Sequence, residues 1–213
     1  MVRFITVERE YGSQGADFAR TLADRLGWEL LDAGLIDAVA KKAKVPTDVA
    51  QAYDEQIDPW YFRYGRAFWY SSVDRLSSSE EARFDSERFV ELLRETMRDA
   101  ADRGNCVLVG RGASSALANV PGAFHIFVFA SMARKKKWVI ENFPEKTASA
   151  QEEILATNER RASYIRRIYG HEWQNPHLYH LMLNSCMGPE AMLGAALAAA
   201  GLLNRVPAMT QRG

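Results

Sequence analysis

The stretch ITVEREYGSQGADFARTLADRLG, Ile5 to Gly27, decides the fold class of this chain. Its apolar start predicts a buried strand, a loop with Gly12 and Gly15 follows, and apolar residues then recur at helical spacing. Such a loop directs backbone N–H groups and the positive end of the helix dipole at one point. The stretch therefore suits an anion site, or a purely structural turn, although the lysine typical of a phosphate loop is absent.

Composition narrows the class of protein. The chain has 213 residues, 47% hydrophobic and 25% charged, which suits one domain with a substantial core. Its 27 Lys and Arg balance 27 Asp and Glu, so it lacks the basic excess of nucleic-acid-binding proteins. No signal-peptide core or membrane-length apolar run is visible. We expect a cytoplasmic protein with no nucleic-acid or membrane partner, and with Cys106 and Cys186 as buried free thiols.

Strand and helix patterns alternate along the chain. Apolar, β-branched runs predict central strands at Arg3–Glu8, Cys106–Gly110 and Ala123–Ala130, and a weaker one at Tyr179–Ser185. Amphipathic helical patterns lie between these runs. The alternation predicts an α/β fold of three layers, in which helices flank a parallel sheet.

One region breaks the alternation. From about 45 to 84 the chain is dense in aromatic residues and arginine, with no strand pattern. We interpret it as a mostly helical insertion in a single domain, 1–213, whose core comprises about 1–44 and 85–205. Its aromatic residues suit either the filling of its own core or a wall of a ligand pocket.

Several motifs, in order, carry a resemblance to a known family. EREYGSQG, Glu8 to Gly15, resembles the Ser-Arg-Glu-Tyr-Gly-Ser-Gly-Gly opening of the cytidylate kinase-like family, and LLDAG resembles Leu-Leu-Asp-Ser-Gly of bacterial cytidylate kinases. RGNCVLVGRGAS, FHIFVFAS, TNERRASYIRRIYGHEW and NPHLYHLMLNS resemble later segments. The resemblance spans about 3–203. It implies a P-loop fold of the nucleoside monophosphate kinase type, with a monophosphate-binding insertion and a lid at about 143–170.

The resemblance also implies an activity. It is transfer of the γ-phosphoryl group of ATP to a nucleoside monophosphate, with ATP and Mg²⁺ as cofactors. CMP and dCMP are the favoured acceptors. Two alternatives remain open at this stage. One is a nucleotide-binding or sensing protein of the same fold without efficient transfer, which the missing lysine favours. The other is a kinase of a different small acceptor.

Candidate site residues follow from the same resemblance. Arg111 is expected to hold the acceptor monophosphate, and Asp32 either faces the acceptor or caps the next helix. Because adjacent helix residues point in different directions, only one of Arg160 and Arg161 is expected to face the phosphates, and Arg161 matches the family better. The remaining expected ATP-binding and lid residues are Tyr11, Gly12, Ser13, Gln14, Gly15, Ala16, Asp17 and Arg134. Lys135, Lys136 and Lys137 are expected to be a solvated face, and no structural metal site is expected.

The loop departs from the pattern of cytidylate kinases. Gly15 stands where the family has its phosphate-bridging lysine, and Asp17 stands where a threonine hydroxyl helps to hold Mg²⁺. Arg9 is the only basic side chain in the loop, so we hypothesise that it is the substitute catalytic cation. The flanking Glu8 and Glu10 offer an alternative in which Arg9 is held in a local ion pair.

Overall fold

A computed structural model describes residues 1–51 and 86–205. These ranges contain one sheet of five parallel strands. The strands are β1 (Phe4–Arg9), β2 (Glu29–Leu31), β3 (Cys106–Val109), β4 (Ala123–Phe129) and β5 (Leu181–Asn184). Most of the predicted insertion, about 45–84, lies outside the described residues.

Helices connect the strands and flank the sheet. They are α1 (Gly15–Leu26), α2 (Ala33–Ala43), α3 (Ser86–Arg103), α4 (Ala113–Ala116), α5 (Met132–Asn142), α6 (Ala150–Tyr169) and α7 (Pro189–Ala199). Residues 47–51 are also helical at the edge of the first described range. Short 3₁₀ turns lie at Pro144–Lys146, Pro176–Leu178, Ser185–Met187 and Leu203–Arg205.

The strand order is β2-β3-β1-β4-β5, which puts β1 in the centre. From β1 the chain continues toward the β2 edge of the sheet, and from β4 it continues toward the opposite edge, which β5 forms. In open parallel sheets, ligands bind beyond the carboxyl ends of strands where the direction of connection reverses. The order therefore places the expected ligand crevice between the loops that follow β1 and β4.

Two buried clusters cover the two faces of the sheet. Phe4 of β1 belongs to a cluster with residues of α2 and α3, whereas Ile5 and Val7 belong to a cluster with residues of α1 and α7. Successive strand residues point to opposite faces, so a strand covered on both sides is mostly apolar, as β1 is at Phe4, Ile5 and Val7. The sheet between two helical layers confirms the predicted α/β class.

Most predicted elements are confirmed, with two corrections. The strand β2 was not predicted, because its three residues are exposed, half-buried and buried in turn, so neither periodicity nor a continuous apolar run marks it. Cys106 is buried as expected, but Cys186 is exposed, because it lies in the 3₁₀ turn after β5 rather than inside a strand. Both are free thiols. Within the described ranges, no helix combines the length and apolar character that crossing a membrane requires.

Candidate active site

The loop between β1 and α1 turns tightly at two left-handed residues. Gly12 has φ 78°, and Gln14, the residue that precedes α1, has φ 63°. The side chain of Gln14 does not cap the helix. Because the first amides of a helix have no carbonyl partner within it, the N–H groups of the first turn of α1 remain available to an anion.

A cavity of about 400 Å³ opens at this helix end. It is bounded by the loop, the first turns of α1, the residue before α2, and one side chain each from α5 and α6. Its lining consists of Arg9, Glu10, Gly12, Gln14, Gly15, Ala16, Asp17, Arg20, Asp32, Trp138 and Arg161. Five of the seven loop residues expected to bind ATP are among them.

Arg9 occupies the space beside Gly15. A Cβ atom at position 15 would overlap Cβ of Arg9 and would lie 3.0 Å from its Cγ and 3.1 Å from Cβ of Val128. A Cβ at Gly110, the residue after β3, would overlap Nη1 of the same arginine. The Arg9 side chain therefore runs across the carboxyl ends of the strands, in room that two glycines leave open.

The helix α6 fastens the loop through two side chains. Nη1 of Arg161 donates to the carbonyl oxygen of Arg9 at 2.8 Å, and the backbone N–H of Tyr11 donates to Oδ1 of Asn158 at 2.8 Å. Positions 158 and 161 share one face of the helix. Arg161 is buried and lines the cavity, whereas Arg160 is exposed and donates to Oγ1 of Thr157.

Arg111 and Asp32 form a pair next to the cavity. Nη1 of Arg111 lies 3.1 Å from both the carbonyl oxygen and Oδ1 of Asp32. Asp32 precedes α2, but its side chain makes no capping hydrogen bond, so the carboxylate serves the arginine instead. Arg111 has a left-handed backbone with φ 54°, which costs a residue with a Cβ about 1–2 kcal/mol. It lines a smaller hollow on the other side of Arg9 and Arg161.

Two residues of α5 contact the loop between β1 and α1. Nη2 of Arg134 donates to Oε1 of Gln14 at 2.7 Å, and Nζ of Lys135 lies 2.8 Å from Oε2 of Glu10. The expected solvated face is therefore wrong for Lys135, which is 6% exposed. It holds for Lys137, which is exposed. Helical spacing places Lys135 on the same face of α5 as the buried Val139, four residues later, so periodicity carried a signal that the expectation of a solvated face did not use.

Tyr11 and Ser13 are not part of the cavity lining. The Tyr11 ring packs edge-on against Trp138, with 6.0 Å between ring centroids. The Ser13 hydroxyl donates to the carbonyl oxygen of Glu10 at 2.8 Å, which closes the turn. Both residues are buried. They shape the loop from inside rather than line the cavity.

Charges at the cavity favour anions. Three arginines and three carboxylates line it, and two of the carboxylates pair with further cations, Glu10 with Lys135 and Asp32 with Arg111. The lining and its partners thus carry five cations and three carboxylates. No cation in the described ranges forms an ion pair with Asp17, an exposed residue in the first turn of α1. An excess of cations of this kind suits a polyanionic ligand.

Most of the chain matches the model of a known protein family. The model of the cytidylate kinase-like family matches residues 4–186. The chain belongs to this family. The resemblance noted in the sequence is thereby confirmed. No curated protein sequence matches the chain.

Solved structures resemble the family fold seen here. An uncharacterised protein from Eubacterium ventriosum ATCC 27560 has a TM-score of 0.67 at 16% identity, covering 94% of this chain and 99% of that one. A shikimate kinase from Bacteroides thetaiotaomicron has a TM-score of 0.54 at 13% identity, covering 94% and 99%. An unliganded sugar kinase from Janibacter sp. HTCC2649 has a TM-score of 0.53 at 17% identity, covering 97% and 98%. At these identities the likeness establishes the P-loop kinase fold alone.

Three residues at or near the cavity were not predicted from the sequence. Arg20 lies one turn after Asp17 on α1, so helical spacing could have suggested it. Trp138 follows the basic run of α5 and gave no signal of its own. Asn158 contacts the loop backbone from more than a hundred residues away, which no local pattern reveals.

Proposed function

We propose that this chain is an ATP-dependent phosphotransferase of the nucleoside monophosphate kinase type. It moves the γ-phosphoryl group of ATP to a pyrimidine nucleoside monophosphate, with CMP or dCMP as the first candidates. The proposal is supported by membership of the cytidylate kinase-like family and by the cation-rich cavity at the start of α1. Phosphoryl transfer needs mainly positioning and charge neutralisation, which a site of this type supplies.

The position of Arg9 is the observation that carries the proposal. Its Cβ and Cγ pack against Gly15, the position where cytidylate kinases carry their lysine, its guanidinium lies against Gly110, and the residue lines the cavity. A guanidinium offers several donors to phosphate oxygens, so it suits the role of the missing ammonium. Arg161 approaches from α6 and donates to the backbone of Arg9, which adds a second cation from the lid region. In this proposal both arginines are catalytic residues.

The acceptor is proposed to lie toward Asp32 and Arg111. Both residues sit beyond the carboxyl ends of the sheet strands, next to the loop that holds the donor phosphates. Trp138 adds an aromatic wall to the same cavity, and an indole face suits a nucleotide base. Arg134 holds Gln14 in place, so its part in the lid is to support the loop.

The residues present fit Mg²⁺ bound together with phosphates. Mg²⁺ is usually held by one or two carboxylates plus substrate phosphates rather than by a complete protein cage. Asp17 is a cavity-lining carboxylate without an ion pair among the described residues, so its oxygens would hold the ion. The metal would neutralise phosphate charge. In the described ranges no group of three or more His, Cys, Asp or Glu residues could hold a metal without such help.

A second candidate function is nucleotide binding without transfer. It is favoured by Gly15, which brings no cation into the loop, and by Asp17, which brings a negative charge. In this case ATP would stabilise the fold by binding it selectively, and no phosphorylated product would form. The two candidates differ in turnover and not in affinity.

The test is a coupled assay with ATP, Mg²⁺ and a panel of CMP, dCMP, UMP, AMP and GMP. We expect turnover with CMP or dCMP, and a loss of about a hundredfold or more in kcat for Arg9→Ala, since one transition-state cation is removed. Arg25→Ala is the control, because it removes the same charge from the last turn of α1, at the end of that helix far from the loop. Thermal stabilisation by ATP without product from any acceptor would establish the second candidate instead.

A further inference from the structure

Glu10 puts a carboxylate at the start of the phosphate loop, in the lining of the cavity. Phosphates are anions, so an uncompensated carboxylate here would oppose their binding. The side chain is 11% exposed, and water therefore screens its charge only weakly. A cavity that takes nucleotide phosphates needs a fixed cation against this residue.

Lys135 supplies a cation at that place. Its Nζ lies 2.8 Å from Oε2 of Glu10, and its side chain is 7% exposed. The backbone N–H of Ala130 donates to the same oxygen at 3.2 Å, and Nε2 of Gln174 donates to Oε1 at 2.9 Å. The carboxylate is thus held by groups from the end of β4, from α5 and from the segment after α6.

The backbone of Lys135 also packs closely against the loop, at Gly12. A Cβ atom at Gly12 would lie 3.0 Å from the carbonyl oxygen of Lys135 and 3.2 Å from its Cα. The neighbouring Arg134 bonds Gln14 on the other side of the turn. The first turn of α5 thus packs against the loop at both Gly12 and Gln14, which places Lys135 beside Glu10.

We propose that Lys135 is a positioning residue of the nucleotide site, which neutralises Glu10 and so keeps the phosphate loop receptive to polyanions. The inference rests on the proposed function in one respect only, that the cavity takes nucleotide phosphates. It does not require that transfer follows. Removing either residue of the pair therefore changes ATP binding in opposite directions. Without Lys135 an uncompensated carboxylate repels the phosphates, and without the Glu10 carboxylate an uncompensated lysine attracts them.

The experiment measures the Kd of ATP by calorimetry for the wild type, Lys135→Met, Glu10→Gln and the double variant. We expect Lys135→Met to weaken ATP binding by about tenfold or more, because a charge in a poorly screened site loses its partner. Glu10→Gln should tighten binding by about threefold to tenfold, since the amide leaves the lysine charge uncompensated. The double variant should return to within about threefold of the wild type.

Lys137→Met is the matched control, because it removes the same charge from the same helix at an exposed position, and it should leave Kd unchanged. Thermal unfolding without ATP reports whether each variant folds. If Lys135→Met does not fold, the Kd of ATP for Glu10→Gln alone tests the inference. A pair with a purely structural role predicts that this variant binds ATP equally well or more weakly than the wild type.

Weaker or equal ATP binding by Glu10→Gln, or a double variant as weak as Lys135→Met, would overturn the inference. A wild-type chain that binds neither ATP nor inorganic tripolyphosphate overturns it together with the proposed function. ATP binding by the wild type without transfer to any acceptor overturns only the proposed transfer.

Discussion

The Cβ position of Gly15 and the side chain of Arg9 occupy the same space. Any side chain at position 15 would overlap Cβ of Arg9 and press against Val128 of the neighbouring strand. Every residue except glycine has a Cβ, so in this conformation a side chain at position 9 excludes any side chain at position 15, lysine included. The absence of a lysine from position 15 is thus matched to the close packing of the loop against β1 and β4.

The first prediction tests this exclusion. Gly15→Ala should lower the free energy of unfolding by about 1–3 kcal/mol, because the overpacked methyl group must push aside Arg9 or the strand. Arg9→Gly in the same chain should relieve much of that loss, so the two changes should be strongly non-additive. Urea unfolding of the two single variants and the double variant measures the coupling. Additive effects would mean that the two residues do not compete for space.

The second prediction concerns the pair of Arg111 and Asp32, whose side chains are 4% and 17% exposed. Arg111→Met should cost about 3–5 kcal/mol of stability, because it leaves a mostly buried carboxylate without its cation. Arg103→Met is the control: its pair with Glu29 is exposed and 3.7 Å long, and such pairs contribute about 0–1 kcal/mol. Chemical denaturation of both variants gives the comparison. Equal losses would show that burial does not strengthen the Arg111 pair.

The third prediction concerns Trp138. Its ring lines the cavity and is flanked by Tyr11 and Phe143 at 6.0 and 5.9 Å between centroids. If a base stacks on it, Trp138→Leu should weaken nucleotide binding by about tenfold, in the range of base–aromatic stacking at 1–3 kcal/mol. Trp138→Phe should retain most of the affinity.

Calorimetric titration with ATP and with CMP identifies which of the two nucleotides contacts Trp138. Trp28→Phe serves as the control, because Trp28 packs against the cluster of α1 and α7 and not at the cavity. Unchanged affinity for both nucleotides in Trp138→Leu would exclude a stacking role.

The fourth prediction concerns the pH dependence of stability, and it involves His125, a residue outside the site. Burial, with a smaller effect of the nearby His180, lowers the pKa of His125 from 6.5 to about 4. The unfolded chain therefore takes up this proton at higher pH than the folded chain does. Stability should fall as the pH drops from about 6.5 to about 4, by about 3 kcal/mol in total from this residue. Below pH 4 this contribution should level off.

Urea unfolding at a series of pH values checks the window. His125→Asn should flatten the decline between pH 6.5 and 4, whereas His177→Gln should keep it, because His177 is exposed. A decline that survives unchanged in His125→Asn would assign it to other groups. The variant also tests the hydrogen bond between Nδ1 of His125 and Oγ1 of Thr6, which are 2.7 Å apart.

The sequence alone predicted the strand-loop-helix opening, the α/β class and the family. These features depend on short-range physics: apolar runs that must be covered on both faces, helical spacing, and glycines such as Gly27 that end helices in the left-handed conformation. The helices α1, α2, α3, α5, α6 and α7 and four of the strands follow the predicted patterns. The short β2 does not, because its three residues carry no periodic signal.

Only the tertiary structure decided which charged groups meet at the loop. Lys135, Lys136 and Lys137 are adjacent in the sequence, and the packing of α5 against Gly12 buries the first of them beside Glu10. The space for Arg9 depends on Gly110, about a hundred residues away along the chain. Local sequence encodes which elements form, whereas the environment of each charge depends on packing between distant segments, and that packing determines the charge at the site.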